Sequence, residues 1–402
     1  MGNELTWMGM IPEDWKSCPL KYIFEIQKRI AGKEGYTVLS ITQSGIKPKN
    51  MSAQGQYAQD YSNYQLVYPG DFAMNHMDLL TGWVDISRYE GVTSPDYRVF
   101  TVRDVAHYCP EYYKFIFQYC YSNKVFYGMG QGVSGFGRWR LPANMFLNFR
   151  LPVPPFNEQY VIASYLDGKV AYIDSIINEV KASIDEYKQW KASIIYEAVT
   201  KGLDPNAEMK DSGVDIIGSM PASWKLCRLK YLCDIMTGNQ DTQDADENGI
   251  YPFYVRSPNI QRSNKYTFEG EGVLMAGDGA GAGRVFHHAF GKYAIHQRVY
   301  CLHNFKNINV EYFLYFISEL FKKVMDKGSA QSTVPSIRLP MIQDFLFCIP
   351  SEGEQDQIVK LLNNRCASIN SIISEKEALV SDLESYKKSL IFEVVTGKRR
   401  VV

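Results

Sequence analysis

From Glu158 to Thr200 apolar side chains return at alternating intervals of three and four, at Leu166, Val170, Ile173, Ile177, Val180, Ile184 and Tyr187. That spacing lays one stripe along a helix and is the seam of a coiled coil. The stretch holds no proline and closes before Gly202, so it reads as one helix of about 43 residues, roughly 65 Å long. A second stripe runs through Leu362, Cys366, Ile369, Ile373, Val380 and Leu383 at the same phase and closes at Gly397; Lys376 interrupts it. Elsewhere the period shortens to two. "YTVLSI", "QLVYPGDFAM", "YRVFTV", "GVLMAG", "GRVFHH" and "RVYCL" carry the β-branched and aromatic alternation of strands, whereas "PEYYKFIFQYCYS" and "NVEYFLYFISELFKKVM" read as amphipathic helices.

The pattern is written twice. "IPEDWKSCPLKY" from Ile11 returns as "MPASWKLCRLKY" from Met220, sharing Trp15/Trp224, Cys18/Cys227 and Tyr22/Tyr231. "LPVPPFNEQYVIASYLDGKVAYIDSII" from Leu151 returns as "FCIPSEGEQDQIVKLLNNRCASINSII" from Phe347. The two pairs stand at different offsets, so constant segments bracket unlike ones. The predicted class is mixed α/β (α+β). Two globular domains are separated by two long antiparallel helices forming a coiled coil, with an internal pseudo-two-fold repeat. The expected divisions are 1–155, first globular domain; 156–203, central helical region; 204–350, junction and second globular domain; and 351–402, C-terminal helical region. The shared Trp, Cys, Leu and Tyr are expected to pack each domain against the helices.

Charge narrows the function. The chain has 402 residues and a formal net charge of −1, without the strong basic excess of a protein that binds nucleic acid alone. Only the two globular segments are slightly positive. Any nucleic-acid role must rest on local patches or on a partner. Eight cysteines without a C-x-x-C pair argue against a zinc ribbon or a redox centre, and no run is long and apolar enough for a membrane helix. A cytoplasmic location is expected, with no membrane contact.

Catalytic motifs are excluded on chemical grounds. "PVPPFNE" places Val153 where a methyltransferase acting on amino groups needs a polar side chain, so the prolines read as a joint. "GDGAGAGR", Gly277 to Arg284, fits a dinucleotide-type loop, but a strand rather than a helix follows, so it reads as a hairpin. His287, His288, His296 and His303 lack ligand spacing, so no metal site is expected. Glu179-Val-Lys181 lies on the helix and reads as a solvated pair. Amides suit adenine and arginine suits guanine or phosphate. The candidate DNA contacts are therefore Arg88, Gln131, Ser134, Arg138 and Arg140 in the first domain. In the second they are Arg256, Arg262, Asp278, Arg284, Arg298, Gln331, Ser332 and Arg338. "GMGQGVSGFGRWR" and "KGSAQSTVPSIR" stand in equivalent places, each just before an "RLP". Leu166, Ile173, Ile177, Ile184, Tyr187, Leu362, Ile369, Ile373, Val380 and Leu383 are assigned to the helical spacer and to partner docking.

The twice-occurring joint (Pro154, Glu158, Gln159, Ile162; Pro350, Glu354, Gln355, Ile358) and the junction "KGLDPNAEMKDSGVDIIGSMPASW" from Lys201 resemble the specificity subunits of type I restriction-modification systems across essentially the whole chain. "WMGMIPEDW" at Trp7 resembles the end of the same junction. The resemblance implies a non-catalytic subunit with two target recognition domains, each reading half of a bipartite double-stranded DNA site. It implies docking of two methylation subunits and, where present, two restriction subunits. S-adenosylmethionine, ATP and Mg are then expected in those partners, with no cofactor on this chain. Two other classes stand beside it: a self-sufficient DNA adenine methyltransferase or nuclease, and a coiled-coil scaffold that reads no sequence.

Overall fold

A computed structural model describes residues 4–5, 7–49, 60–132, 139–328 and 335–401. The chain divides into two compact units, Met1–Val180 with Ala378–Val402, and Lys181–Glu377. The sequence divisions at 156 and 351 fall at helix starts, whereas the compact units divide inside the helices. Each of the two long helices, Phe156–Lys201 and Glu352–Val395, therefore contributes one part to each unit.

The first unit is built on a four-stranded antiparallel sheet in the order Phe24–Gln27, Arg98–Val102, Phe72–Met74, Val84–Ile86. Phe24, Phe72 and Phe100 fill its inner face, with ring centroids 5.0 to 5.5 Å apart. The helix Pro110–Ser122 covers them, burying Tyr113, Phe117 and Tyr121 on one side. Offset and edge-to-face packing among these rings adds to their area burial. The second unit repeats the design with Asp234–Thr237, Val299–His303, Gly272–Ala276 and Phe286–Ala289, again all antiparallel and in the same order. The helix Val310–Gly328 takes the covering role, and Phe313, Phe316 and Phe347 stack at 4.5 to 4.7 Å.

Within the second unit the two helical parts run antiparallel. Lys191 Nζ donates to Asn370 Oδ1 at 2.8 Å and Lys188 pairs with Glu377 at 3.5 Å, so the pairing descends one helix as it climbs the other. Lys376, which breaks the apolar stripe, places its ammonium 5.6 Å from the Tyr187 ring centroid, where the ring face attracts it. Within the first unit, Lys387 bonds Asp174 across the corresponding helix pair. Leu166, Ile173, Ile177, Ile184, Leu362, Ile369 and Val380 are buried; Tyr187, Ile373 and Leu383 are half-buried. No helix among the described residues is long and apolar enough to cross a membrane.

Candidate nucleic-acid interface

The joint between globular part and helix explains most of the repeated residues. Trp15 Nε1 donates to Glu158 Oε2 at 3.0 Å, and Trp224 Nε1 donates to Glu354 Oε2 at 2.9 Å. Gln159 Oε1 accepts from the Cys109 backbone N–H at 2.9 Å, while its Nε2 donates to the carbonyls of Pro154 and His107. Gln355 does the same with the Asn309 N–H and the Pro350 carbonyl. Cys109 and Asn309 immediately precede the covering helices, where a backbone donor has no intrahelical partner. The Glu-Gln pair is thus a fastener between strand, long helix and covering helix. Tyr112 and Tyr312 complete it, donating to the carbonyls of Val395 and Val199 near the ends of the long helices. The Arg150–Val153 strand pairs with Lys16–Pro19, which makes the proline run a structural joint.

One expectation fails. Tyr22 and Tyr231 are 61% and 65% exposed, although Trp15, Trp224, Leu20 and Leu229 are buried. In the short turn Leu20–Ile23, residues three apart face inward, so Tyr22 faces out. Lys21 and Lys230 each lie 5.4 Å from their neighbouring tyrosine ring.

A turn at one end of the second unit's sheet gathers three of the candidate contacts. In the second unit the glycine-rich segment joins strands Gly272–Ala276 and Phe286–Ala289 as a hairpin. Gly281 is required by packing, because a Cβ there would stand 2.4 Å from the Arg256 carbonyl. Asp278, on this turn, bonds Arg256 at 2.9 Å and faces Arg298 at 3.7 Å. Arg298 is held from behind, its backbone N–H donating to Nδ1 of buried His296 at 2.9 Å. The turn also pairs with the 335–337 segment: Ile337 N–H donates to the Gly277 carbonyl at 2.8 Å, and Gly279 N–H to the Pro335 carbonyl at 3.0 Å. Three sequence candidates, Arg256, Asp278 and Arg298, therefore share one place, with Arg256 and Arg298 exposed.

The other candidates are dispersed. Arg262 is spent on the carbonyls of Gly249 and Ile250, tying down its own hairpin. Arg284 pairs with Asp326 of the covering helix. Arg338 is exposed and precedes the helix Leu339–Gln343, a place that Pro142 holds before Ala143–Asn148. The two "RLP" tripeptides therefore do not coincide in space, since each stands differently against its short helix. In the first unit Gln131 and Arg140 form an exposed backbone pair at 2.8 and 3.0 Å, and Arg88 is exposed near the sheet edge. Ser134, Arg138, Gln331 and Ser332 lie outside the described residues. No cluster of metal-ligating side chains occurs among the described residues.

Sequence reasoning missed the interior counterpart in the first unit. The turn after Phe72–Met74 carries His76, whose carbonyl accepts the Leu141 N–H at 2.9 Å, as Gly277 accepts Ile337. Arg98, 5% exposed, donates through Nη2 to the Leu141 carbonyl at 2.9 Å. Tyr300 makes the matching bond to the Ile337 carbonyl at 3.1 Å. Burial, and then the charges of Arg98 and Arg140, lower the His76 pKa to about 3. Burial likewise lowers Arg98 to about 10. An arginine inside a strand pattern reads as an exposed position, which is why it gave no signal.

The two units thus carry unlike turns on matching four-stranded sheets. The type I restriction modification DNA specificity domain matches residues 12–186 and 221–380. The chain belongs to that family. It is 28% identical over 181 residues to the type I restriction enzyme EcoDI specificity subunit of Escherichia coli, covering 45% of this chain and 40% of that one. It is 25% identical over 294 residues to the MjaVIII specificity subunit of Methanocaldococcus jannaschii, covering 66% of each. Among solved structures, a chain from a study of complex assembly and conformational transition of the type I R-M system aligns at a TM-score of 0.70. It is 14% identical, with 96% of this chain and 98% of that one covered, and shows the shared fold.

Proposed function

We propose that this chain is the sequence-reading subunit of a type I restriction-modification complex. Each globular domain reads one half of a bipartite, asymmetric double-stranded DNA site, and the helix pair sets the spacer between the halves. Two methylation subunits dock on the two halves, and restriction subunits, where present, join the assembly. S-adenosylmethionine, ATP and Mg belong to those partners. The observation that carries this reading is the unlikeness of the two turns on matching sheets. One is a glycine-rich hairpin whose Asp278 orients Arg256 and Arg298; the other is a turn with His76 over buried Arg98. DNA half-sites mirror protein symmetry only when the readers are identical, so unlike turns call for unlike half-sites.

The test is the pattern of adenine methylation in DNA from cells expressing the chain with its methylation subunit. A split motif with a fixed spacer is expected. A short continuous motif, or methylation in the absence of the partner, would refute the reading.

A further inference from the structure

The first globular domain contains a cavity of about 350 Å³ lined by Gln27, Lys28, Gln65, His76, Tyr97 and Arg98, among others. Two of its buried polar atoms make no hydrogen bond to a described residue: Arg98 Nη1 and His76 Nδ1. Arg98 has 5% of its surface exposed, and no described carboxylate pairs with it. Among the described residues, its cationic group is met by the Leu141 carbonyl and by the face of Phe146, whose centroid lies 4.7 Å away. A buried guanidinium with an unsatisfied N–H and no counter-charge is costly to maintain.

The second domain shows that this cost is not needed for folding. Tyr300 reaches the matching carbonyl of Ile337 with a neutral hydroxyl, and Gly277 stands where the first domain has His76. The frame therefore closes with an uncharged side chain at this place. What Arg98 adds is a positive charge and a spare donor beside a cavity with Lys28 at its wall. Arg140 stands close enough to act on both Arg98 and His76, which adds a second positive charge nearby. An anion with several acceptor oxygens fits this setting, because arginine binds phosphate through more than one N–H at once.

We propose that this cavity seats a phosphate group of the DNA backbone, with Arg98 as principal donor and His76 and Lys28 beside it. The inference rests on the DNA-reading role proposed above and extends it: the first domain is positioned on its half-site by an internal phosphate contact, and its exposed turns are left to read bases. Phosphate contacts fix register, whereas base contacts specify.

The test uses the full chain assembled with its methylation subunits. Duplex binding is titrated between about 50 and 200 mM NaCl for the natural chain, Arg98→Tyr and Arg98→Lys. Arg98→Tyr installs the second domain's own solution and keeps the bond to Leu141. It is expected to weaken binding about tenfold at the low-salt end and to reduce the slope of log K against log salt by about 0.9, the value for one lost contact. Arg98→Lys is expected to keep most of the slope. In parallel, thermal unfolding is followed with inorganic phosphate alone. An unchanged slope in Arg98→Tyr, with phosphate raising the unfolding temperature of the natural chain only, makes the cavity a free-anion site and overturns the DNA assignment. An unchanged slope with no effect of phosphate overturns the site altogether. If the natural complex retains no duplex, the DNA-reading role and the DNA source of the phosphate fall together, and the phosphate arm decides whether the cavity binds free anions.

Discussion

Gly202 and Gly397 stand just past the ends of the two long helices with φ of 76° and 72°, a region that side chains with a Cβ enter at a cost. Their surroundings separate them. A Cβ on Gly397 would lie 2.4 Å from Pro12 Cγ and 2.8 Å from its Cδ, a rigid ring against a buried Trp15. On Gly202 the tightest contacts are 3.1 Å, to Trp224 Cζ2 and Glu354 Oε1. Both Gly→Ala variants are expected to destabilise their unit, by about 1 kcal/mol for Gly202 from backbone strain and by roughly 3 kcal/mol for Gly397, where overpacking is added. Denaturant unfolding of each variant measures this, and equal losses at the two positions would refute the steric account. Arg400, just beyond Gly397, bonds Asp14 and Glu158. It therefore sets a counter-charge beside a buried carboxylate already engaged by Trp15.

At the scale of elements, the joint is where helix, strand and covering helix meet through side chains rather than through a continuous ladder. Gln159 satisfies the N–H of Cys109 and two carbonyls at once, and its bonds to Cys109 and Pro154 are buried. Gln159→Leu keeps the volume and strands those groups, which costs about 2 kcal/mol. Hydrogen exchange reads the effect locally. The Cys109 amide is expected to exchange faster in Gln159→Leu, while the Asn309 amide, bonded to Gln355 in the other unit, keeps its rate. Unchanged exchange at Cys109 would remove the fastening role assigned to the Glu-Gln pair.

For the whole molecule, the repeat predicts modularity. The strand Phe24–Gln27 follows the shared opening, and Arg150–Val153 leads into the shared joint. The segments between them differ most between the two globular domains. Exchanging residues 24–150 for the matching segment of another family member is expected to change one half of the methylated motif and leave the other half and the spacer intact. A change in both halves, or in the spacer, would show that the two globular domains are not independent. Much of this architecture was legible in the sequence. A heptad stripe repeated at the same phase, with prolines before it and glycines after it, admits few solutions other than two long helices, because the spacing itself is the helix geometry. The aromatic alternation likewise located five of the eight strands of the two matching sheets; Phe24–Gln27, Val84–Ile86 and Asp234–Thr237 gave no such signal, and "YTVLSI" falls on a separate hairpin.

The candidate site was legible only in part, for reasons visible in particular residues. The sequence supplied arginines and amides in the unlike segments, but could not say which were already engaged. Arg262 and Arg284 are taken up by local carbonyls and by Asp326, whereas Arg256 and Arg298 converge on Asp278 from segments more than 40 residues apart. Arg98 shows the converse: its strand is legible, yet only the fold places its charge inside the domain beside His76. By itself, then, the sequence determined the periodicities, the order of constant and unlike parts and the residue types available, all of which are properties of neighbours along the chain. Tertiary structure alone decided which charges are paired, which are enclosed and which remain free to meet a ligand. Those outcomes depend on solvent exclusion and on partners brought together from distant segments.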